Sequence, residues 1–305
     1  MKTARRPFRG GADLASMTAL ATTSPEDNLH VADLPYRLAS WALDDPRNVA
    51  LWVDGGGRLV AWAALQFPFS AVDIVARPDV EALLVPEALE WVDDQSRAAR
   101  GTPRQKASWY VHVFADQEKR LRLLEDAGYV SQADVGEDSW SRVLLRRTGP
   151  VPAPAPLEPG FAVRPLAGKA EVDAYAELQR VVFGTKNMTA EWRARTLDAA
   201  HHVAEADLVV VAPDGRLAGF CIGWLLPGEH PAGQIEPLGV LWDYRELGLG
   251  AALLTECLRR LVARGATTQP VETDTYRTPA LGLYESFGFE PIRDVLVCRK
   301  DYPSG

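Results

Sequence analysis

Leu238-Gly-Val-Leu-Trp-Asp-Tyr-Arg245-Glu-Leu-Gly248-Leu-Gly250-Ala251 is the stretch of this chain that decides its fold. An apolar strand runs into a short loop, and Gly248-x-Gly250 then opens a helix that the apolar spacing predicts over Ala251–Arg264. The first turn of a helix leaves its N–H groups without intrahelical partners and directs the positive end of the helix dipole outward. Two glycines let a pyrophosphate approach those amides without meeting a Cβ, and Arg245 can add a charged contact. The stretch therefore predicts a phosphate-binding loop.

Two common phosphate-loop motifs do not fit this stretch. A Walker A loop needs Gly-Lys-Ser/Thr, which is missing. A dinucleotide-binding fingerprint needs a third glycine where Leu253 stands, together with a strand–helix–strand unit early in the chain. The remaining alternative is a glycine-assisted helix start that binds nothing.

The chain divides almost in half at a proline-rich stretch, Pro150–Pro159, which has five prolines in ten residues. Such a segment favours a stiff, extended connection. The two halves repeat each other at nearly constant spacing, which indicates duplication of a domain of ~150 residues. We therefore predict a first domain over 1–149, a linker over 150–160 and a second domain over 161–305. The matched segments are Arg6-Pro7 with Arg164-Pro165, Asp13 with Glu171, Arg58–Leu65 with Arg216–Gly223, and Leu124–Tyr129 with Tyr284–Phe289.

Each half contains predicted strands with helices interspersed, which is typical of an α/β fold with a mixed sheet. The last elements of the second half are predicted as a strand over Gln269–Thr273, a helix over Pro279–Phe287 and a strand over Val295–Arg299.

The phosphate loop resembles the acetyl-CoA loop of the GNAT superfamily of N-acetyltransferases, because Arg-x-x-Gly-x-Gly-Ala follows an apolar strand at Arg245–Ala251. Ala280–Phe289 is similar to that superfamily's Ala-x-x-Leu-Tyr-x-x-x-Gly-Phe segment, and Arg164-Pro165 resembles the usual opening of the fold. The resemblance implies two tandem GNAT-like domains. This arrangement is similar to that of the two-domain GNAT proteins, mycothiol synthase among them.

The resemblance also implies which residues hold acetyl-CoA. The backbone of Leu238 and Val240 would hydrogen-bond the pantetheine arm like an added strand. One family position differs, because Arg277 stands where many members have an asparagine that contacts the cofactor arm. The residues implied to hold the pyrophosphate, mostly through their amides, are Arg245, Leu247, Gly248, Leu249, Gly250 and Ala251.

Acyl transfer to an amine requires one group to take a proton from the amine and another to protonate the departing thiolate. Tyr284 matches the family tyrosine that donates to the thiolate; the alternative is a buried tyrosine with a satisfied hydroxyl. The family often has a glutamate where Gln234 stands, and glutamine cannot accept a proton. We expect Glu236 to replace it, on the same strand face as Gln234 and Leu238. The alternative for Glu236 is a solvated or salt-bridged carboxylate.

The first half lacks the features of the phosphate site. The corresponding stretch, Val72–Val92, contains no glycine, and three glutamates, Glu81, Glu87 and Glu90, would face a polyphosphate with negative charge. Leu124 stands at the tyrosine position. We therefore predict a degenerate first domain that keeps the fold, packs against the active copy and contributes to closing the amine pocket.

The composition excludes several classes of partner. The chain is 47% apolar and 24% charged, as is usual for a globular protein, and its net charge of −8 divides into −3 up to Pro150 and −5 after it. No run of four or more Lys or Arg provides the clustered positive charge that a phosphate backbone requires. We expect no nucleic acid and no membrane as partners.

Cysteine spacing and the N-terminal residues bear on metal binding and location. Cys221, Cys257 and Cys298 lie far apart without a C-x-x-C pair, so we expect neither a metal site nor a disulfide framework. Charged residues and glycines near the N-terminus, from Arg5 to Asp13, break any signal-peptide core, which predicts a cytoplasmic protein.

The sequence as a whole predicts an acetyl-CoA-dependent N-acetyltransferase that acts on a primary amine, on a small molecule rather than a protein, with one active site in the C-terminal half. An acyltransferase with a longer acyl donor, a non-catalytic acyl-CoA sensor and a scaffold with vestigial sites remain alternatives. The acceptor amine, the acyl length and the oligomeric state are left open.

Overall fold

A computed structural model describes residues 2–153 and 157–303, so Pro154–Pro156 of the predicted linker lie outside the described residues. The chain forms two compact units. Unit 1 contains the residues up to Val143, Asp274–Tyr276 and the residues from Arg293 onward. Unit 2 contains Leu144–Thr273 and Arg277–Ile292.

Unit 1 is built on a sheet in the order β1-β2-β3-β4-β5-β13, with antiparallel neighbours except for the parallel contact of β4 with β5. Trp52, Trp62 and Trp109 are among its fully buried side chains. The elements are β1 (Thr3–Pro7), α1 (Gly11–Thr22), α2 (Leu34–Leu38), β2 (Val49–Asp54), β3 (Leu59–Gln66), β4 (Ala71–Ala76), α3 (Glu81–Ala98), β5 (Ser108–Phe114), α4 (Glu118–Asp126), β6 (Val130–Ser131) and β13 (Glu290–Asp301), of which β13 begins in unit 2.

Unit 2 contains an antiparallel sheet in the order β11-β10-β9-β8, and β12 lies beside β7. The elements are β7 (Arg142–Arg147), β8 (Ala162–Pro165), α5 (Val172–Phe183), α6 (Ala190–Leu197), β9 (His202–Val211), β10 (Leu217–Leu226), β11 (Ala232–Val240), α7 (Leu249–Ala263), β12 (Gln269–Asp274) and α8 (Thr278–Ser286).

Helix α7 is amphipathic, as its apolar spacing predicts. Leu253, Leu254 and Leu258 are fully buried, and the helix packs on β9, β10 and β11. Gly265 ends it with a left-handed φ of 94°, which a glycine adopts without steric cost. The helix therefore has a fixed position against the sheet, and its N-terminus lies at the end of β11.

The two units begin in the same way, which agrees with the sequence repeat. Arg6 donates two hydrogen bonds of 2.8 Å to the Asp13 carboxylate, and Arg164 donates two, of 2.5 and 2.8 Å, to the Glu171 carboxylate. In both units the arginine of the strand that opens the repeat, β1 or β8, is thus paired with an acid seven residues later. The predicted mixed α/β class is confirmed, since parallel and antiparallel neighbours occur in one sheet.

The compact units depart from the sequence halves at their last strands. The greater part of β13 belongs to unit 1, where it pairs antiparallel with β5 from Val295↔Phe114 to Asp301↔Ser108. Residues 144–147 of β7 belong to unit 2, where Arg147 donates to the Gln269 side-chain oxygen at 3.0 Å. Each unit therefore takes its closing strand from the other sequence half, whereas we predicted boundaries at 149/150 and 160/161.

Candidate active site

The phosphate loop ends at a left-handed glycine. Gly248 precedes α7 with φ 71°, and the first intrahelical hydrogen bond runs from Ala252 N to the Gly248 carbonyl at 3.0 Å. The N–H groups before Ala252 therefore have no acceptor within the helix. A Cβ built on Gly248 meets no atom within 4 Å, so the space above these amides is open. Gly250, with Leu283 Cδ2 at 3.5 Å from such a Cβ, lies against α8.

The loop is fixed to the sheet by Tyr244. Its hydroxyl accepts a hydrogen bond of 2.9 Å from Arg216, and its ring packs edge-on against Phe161 with centroids 5.7 Å apart. Tyr244 belongs to a short 3-10 turn, Trp242–Tyr244, that follows β11. Arg245 and Leu247 are exposed beyond this turn. The loop backbone is thus held in place while its next residues face solvent.

Strand β11 has an open edge next to the loop. It pairs with β10 along one side and is the end strand of its sheet. On its other side it meets β12's leading segment at a single parallel bridge, Ala232↔Thr268, with Gly233 N donating to the Thr268 carbonyl at 2.8 Å. Leu238 and Val240 lie beyond this bridge, on the part of β11 that no described strand covers. An extended ligand could add to this edge like another strand.

A bulge in β11 carries Glu236. Leu238 pairs with Cys221 and Ile235 with Gly223, so Glu236 and the residue after it together oppose one residue of β10. The bulge changes the side-chain alternation, and Leu238 lies on the face of Ile235 instead of the face of Gln234. Our expectation that Gln234, Glu236 and Leu238 share one face is therefore wrong for Gln234 and Leu238.

The bulge is held by an indole. The Trp224 Nε1–H donates to the carbonyl oxygen of Glu236 at 2.6 Å, and Trp224 itself is fully buried. The side chain of Glu236 is half-buried. A fixed backbone at this residue limits where its carboxylate can reach.

Tyr284 lies on α8 and is buried, with its ring 5.5 Å from that of Phe289. Burial raises the pKa of Tyr284 well above its usual range; the Glu236 carboxylate adds to the rise, and the Arg277 guanidinium opposes it. Both charges therefore act on the phenol, in opposite directions. The raised pKa keeps the phenol protonated near neutral pH, as an acid requires.

Arg277, at the position of the family asparagine, precedes α8. Its guanidinium carbon lies 6.0 Å from the centroid of the Phe183 ring at the end of α5, and the Phe183 ring packs edge-on against that of Phe220 at 5.7 Å. The arginine therefore places a positive charge between α8 and the end of α5.

Sequence reasoning missed a buried polar cluster in unit 2. Arg193 donates to the Asp207 carboxylate, His202 Nε2 lies 2.8 Å from the same carboxylate oxygen, and the imidazole packs edge-on against Trp224 at 5.9 Å. Arg193 and Asp207 are at most 1% exposed. One signal was available, because Asp207 is a charged residue inside the otherwise apolar end of β9.

Residues 172–289 match the family model described as Acetyltransferase (GNAT) family. The C-terminal half of the chain belongs to the GNAT family. Mycothiol acetyltransferase from Acidothermus cellulolyticus is 29% identical over 270 residues, which cover 79% of this chain and 76% of that protein. The Streptomyces coelicolor protein of the same name is 27% identical over 296 residues, 93% of this chain and 89% of its own. Mycothiol acetyltransferase from Arthrobacter is 36% identical over 85 residues, which cover 27% of this chain and 26% of that protein.

Several solved structures match nearly the whole chain. A tandem GNAT protein from the clavulanic acid biosynthesis pathway has a TM-score of 0.65 and 14% identity, with 100% of both chains covered. A GCN5-related N-acetyltransferase from Sphaerobacter thermophilus has a TM-score of 0.65 and 22% identity, covering 99% of this chain and 97% of its own. These likenesses confirm the tandem GNAT fold. The family match and the named relatives make this chain an N-acetyltransferase.

The positions of unit 1 that correspond to the phosphate loop and the tyrosine of unit 2 carry different residues. Helix α3 begins without a glycine, and Glu81 in its first turn accepts a 2.6 Å hydrogen bond from Arg120 Nε. Glu87 accepts from the Trp52 indole at 2.9 Å, and Leu124 at the tyrosine position is 1% exposed. The positive end of α3 therefore already has a carboxylate in its own first turn.

Two further findings concern residues 2–153 and 157–303 only. None of the helices in these ranges is both long and apolar enough to cross a membrane. The same ranges contain no group of three or more His, Cys, Asp or Glu side chains placed to hold a metal ion.

Proposed function

We propose that unit 2 transfers an acetyl group from acetyl-CoA to a primary amine of a small molecule. The observation that carries the proposal is the combination, within one unit, of the Gly248 helix start, the open edge of β11 and the buried phenol of Tyr284 near Glu236. These features meet the three needs of the reaction: a site for pyrophosphate, a backbone edge for pantetheine and a pair of proton-transfer groups.

The residues present fit acetyl-CoA. Amides of Leu249, Gly250 and Ala251 bind the pyrophosphate at the positive end of α7, with Gly248 leaving room for it. Leu247 belongs to the same loop, and Arg245 adds a guanidinium to the phosphates. The bound thioester supplies the activated acetyl group.

Leu238 and Val240 bind the pantetheine arm through their backbone groups, in the manner of an added strand. This places the thioester end of the arm towards Glu236, since the pyrophosphate lies at the other end of this strand segment. The thioester sulfur would then reach Tyr284, whose pKa the charge of Glu236 influences.

The reaction needs three proton transfers. Glu236, directly or through a water, accepts the proton that the acceptor's ammonium group loses, and the free amine attacks the acetyl carbonyl carbon. A C–N bond forms, the C–S bond breaks, and the phenol of Tyr284 donates its proton to the departing thiolate. The attacking nitrogen, positively charged after the C–N bond forms, gives its second proton back to the tyrosinate oxygen, and Glu236 releases the first proton to solvent. The products are the acetylated amine and CoA thiol.

The proposed acceptor is a small-molecule amine, because the relatives that match most of this chain are named mycothiol acetyltransferase, after a small molecule rather than after a protein. An enzyme that uses acetyl-CoA works where that thioester is made, so the proposal includes a cytoplasmic location. A small molecule also agrees with the absence of any run of four or more basic residues in the sequence.

The test is CoA release from acetyl-CoA over a panel of primary amines, with Tyr284→Phe as the inactive control, together with calorimetric titration of CoA. We expect turnover with at least one amine and one CoA bound per chain, in unit 2. CoA binding without turnover on any amine would favour the sensor. Turnover with a longer acyl-CoA alone would favour a different donor, and no binding at all would refute the proposal.

A further inference from the structure

Trp242 is an exposed tryptophan in the phosphate loop. It is 76% exposed, although a large aromatic side chain usually gains stability by burial. The guanidinium carbon of Arg245 lies 4.7 Å from the centroid of its ring. From this pair we propose an adenine-binding platform, on which the nucleotide end of CoA stacks against the Trp242 ring. The inference rests on the proposed function, since it concerns the same ligand.

The platform lies where the nucleotide must emerge. In the proposed site the cofactor runs from Glu236 along Leu238 and Val240 to the amides that follow Gly248. The adenosine is the next part of the molecule beyond the pyrophosphate. The loop 241–247 joins the strand to that helix start, so its exposed side chains border the pyrophosphate site. Among the exposed side chains of this loop, that of Trp242 is the large aromatic one.

The platform is pre-formed by its neighbours. Trp242 begins the 3-10 turn in which the Tyr244 hydroxyl is bonded to Arg216 at 2.9 Å. The same turn is closed by Arg245 N donating to the Trp242 carbonyl at 3.1 Å. Because this backbone is already ordered, CoA binding does not lose free energy to ordering it, and the full stacking free energy contributes to affinity.

Charge alone would not bind an anionic nucleotide here. The loop carries two exposed carboxylates, Asp243 and Glu246, against one guanidinium, that of Arg245. Affinity must then come from directed contacts: the helix amides, the guanidinium and a stacked base. Within the described residues, the Arg245 side chain forms no ion pair with a carboxylate, so its charge is available to the phosphates.

The experiment compares two ligands that differ by the nucleotide. CoA and 4′-phosphopantetheine share the pantetheine arm and a phosphate, but only CoA carries adenosine. Dissociation constants of both are measured by calorimetry for the parent, Trp242→Ala and Trp242→Phe. We expect Trp242→Ala to weaken CoA binding roughly five- to 150-fold, the range of base–aromatic stacking, and to leave 4′-phosphopantetheine binding unchanged. Trp242→Phe should retain most of the CoA affinity.

Two control variants make the comparison specific. Arg245→Gln should weaken both ligands, because both carry a phosphate. Leu83→Ala removes an exposed apolar side chain near the start of α3 in unit 1 and should change neither. Thermal denaturation checks that each variant is folded.

Each outcome decides the inference. An equal loss for both ligands in Trp242→Ala would mean that the indole supports the loop rather than the base, and an unchanged CoA affinity would mean that the base does not stack there; either overturns the platform while leaving the proposed function in place. A parent protein that binds neither ligand would overturn the platform together with the proposed function.

Discussion

The indole N–H of Trp224 donates a hydrogen bond to the carbonyl oxygen of Glu236 at 2.6 Å and holds the β11 bulge that carries the proposed base. The same indole packs edge-on against His202, which bonds to Asp207. Asp207 is paired with Arg193 of α6, so the bulge is connected to the buried polar cluster. The position of Glu236 thus depends on residues with no direct role in acyl transfer.

Trp224→Phe should reduce kcat while the Kd of acetyl-CoA stays the same. The variant keeps an aromatic ring, although a smaller one, and removes the indole N–H, so the Glu236 carbonyl loses this hydrogen bond and the bulge can shift. We expect a roughly tenfold loss of kcat, because small misplacements at a reacting centre are costly. Steady-state kinetics and titration calorimetry measure the two quantities.

Trp62→Phe is the matched control for that prediction. The Trp62 indole is also buried and donates to a backbone carbonyl, that of Met17 in unit 1, at 3.0 Å. Both variants lose one hydrogen bond, usually worth about 0.5–1.5 kcal/mol, and both leave a similar cavity where the larger indole was, so they should be destabilised to a similar extent. An equal fall in kcat in both variants would show that the Trp224 effect is general destabilisation.

Tyr284→Phe should lower kcat by ~10²-fold or more, as expected for removal of a positioned general acid. Binding should hardly change, because a thioester sulfur is a poor hydrogen-bond acceptor. The measurement is kcat alongside the Kd of acetyl-CoA. Tyr129→Phe, in the repeated segment of unit 1, should leave kcat alone. Parental turnover by Tyr284→Phe at neutral pH would assign the acid to another group, most simply water.

Glu236→Gln should reduce the rate most at low pH. There the acceptor is mostly an ammonium ion and most needs a base, whereas at high pH free amine is abundant and the variant should approach the parent. The measurement is kcat/KM for the amine from about pH 6 to pH 10, a range spanning amine titration. Glu205→Gln, on an exposed position of β9, is the control. Superimposable profiles for Glu236→Gln and the parent would leave Glu236 with a structural role.

Gly248→Val should raise the KM of acetyl-CoA on the order of tenfold or more, since a side chain would occupy the open space that the pyrophosphate needs. The left-handed φ of 71° adds a strain of roughly 1–2 kcal/mol. Gly265→Val, at the other end of α7, has φ 94° and similar free space, so it should suffer the same strain without a change in KM. An equal KM in both variants would remove the phosphate-loop assignment.

Asp13→Asn should destabilise the protein more than Glu171→Gln, although the two acids are equivalent in the repeat. Asp13 is 1% exposed and accepts hydrogen bonds from Arg6 and Arg9, whereas the side chain of Glu171 is 22% exposed. We expect a loss of roughly 1–3 kcal/mol for Asp13→Asn, measured by thermal denaturation at pH 7. A larger loss from Glu171→Gln would contradict this order.

The pH dependence of stability follows from the same two acids. Hydrogen bonds from Arg6 hold the pKa of Asp13 well below its usual range, and Arg164 lowers the pKa of Glu171. Both carboxylates therefore stabilise the folded state above their unfolded pKa values of about 4, and this contribution is lost as the pH falls below that value. Asp13→Asn should make stability less dependent on pH in this acid range.

The local features of this protein could be predicted from residues that are neighbours in the chain. The glycine spacing at Gly248 and Gly250, the helix after it and the tyrosine of α8 each depend on residues close together in the chain, and the structure has them where the patterns predicted. The repeat was equally visible, because two copies at an offset of 158 residues preserve the same arginine–acid pair. The roles of these residues in catalysis stay predictions.

The closing strands, the bulge and the buried cluster became apparent only in the folded chain. A strand forms the same backbone hydrogen bonds whether it joins its own copy of the repeat or the other copy. The residue pattern therefore does not reveal that β13 pairs with β5. A single inserted residue in β11 moves Leu238 to the other face from Gln234, and strand alternation read from sequence assumes that no such insertion exists. Arg193 and Asp207 meet only because α6 packs near β9, and their pairing offsets part of the cost of burying two charges that the sequence shows separately.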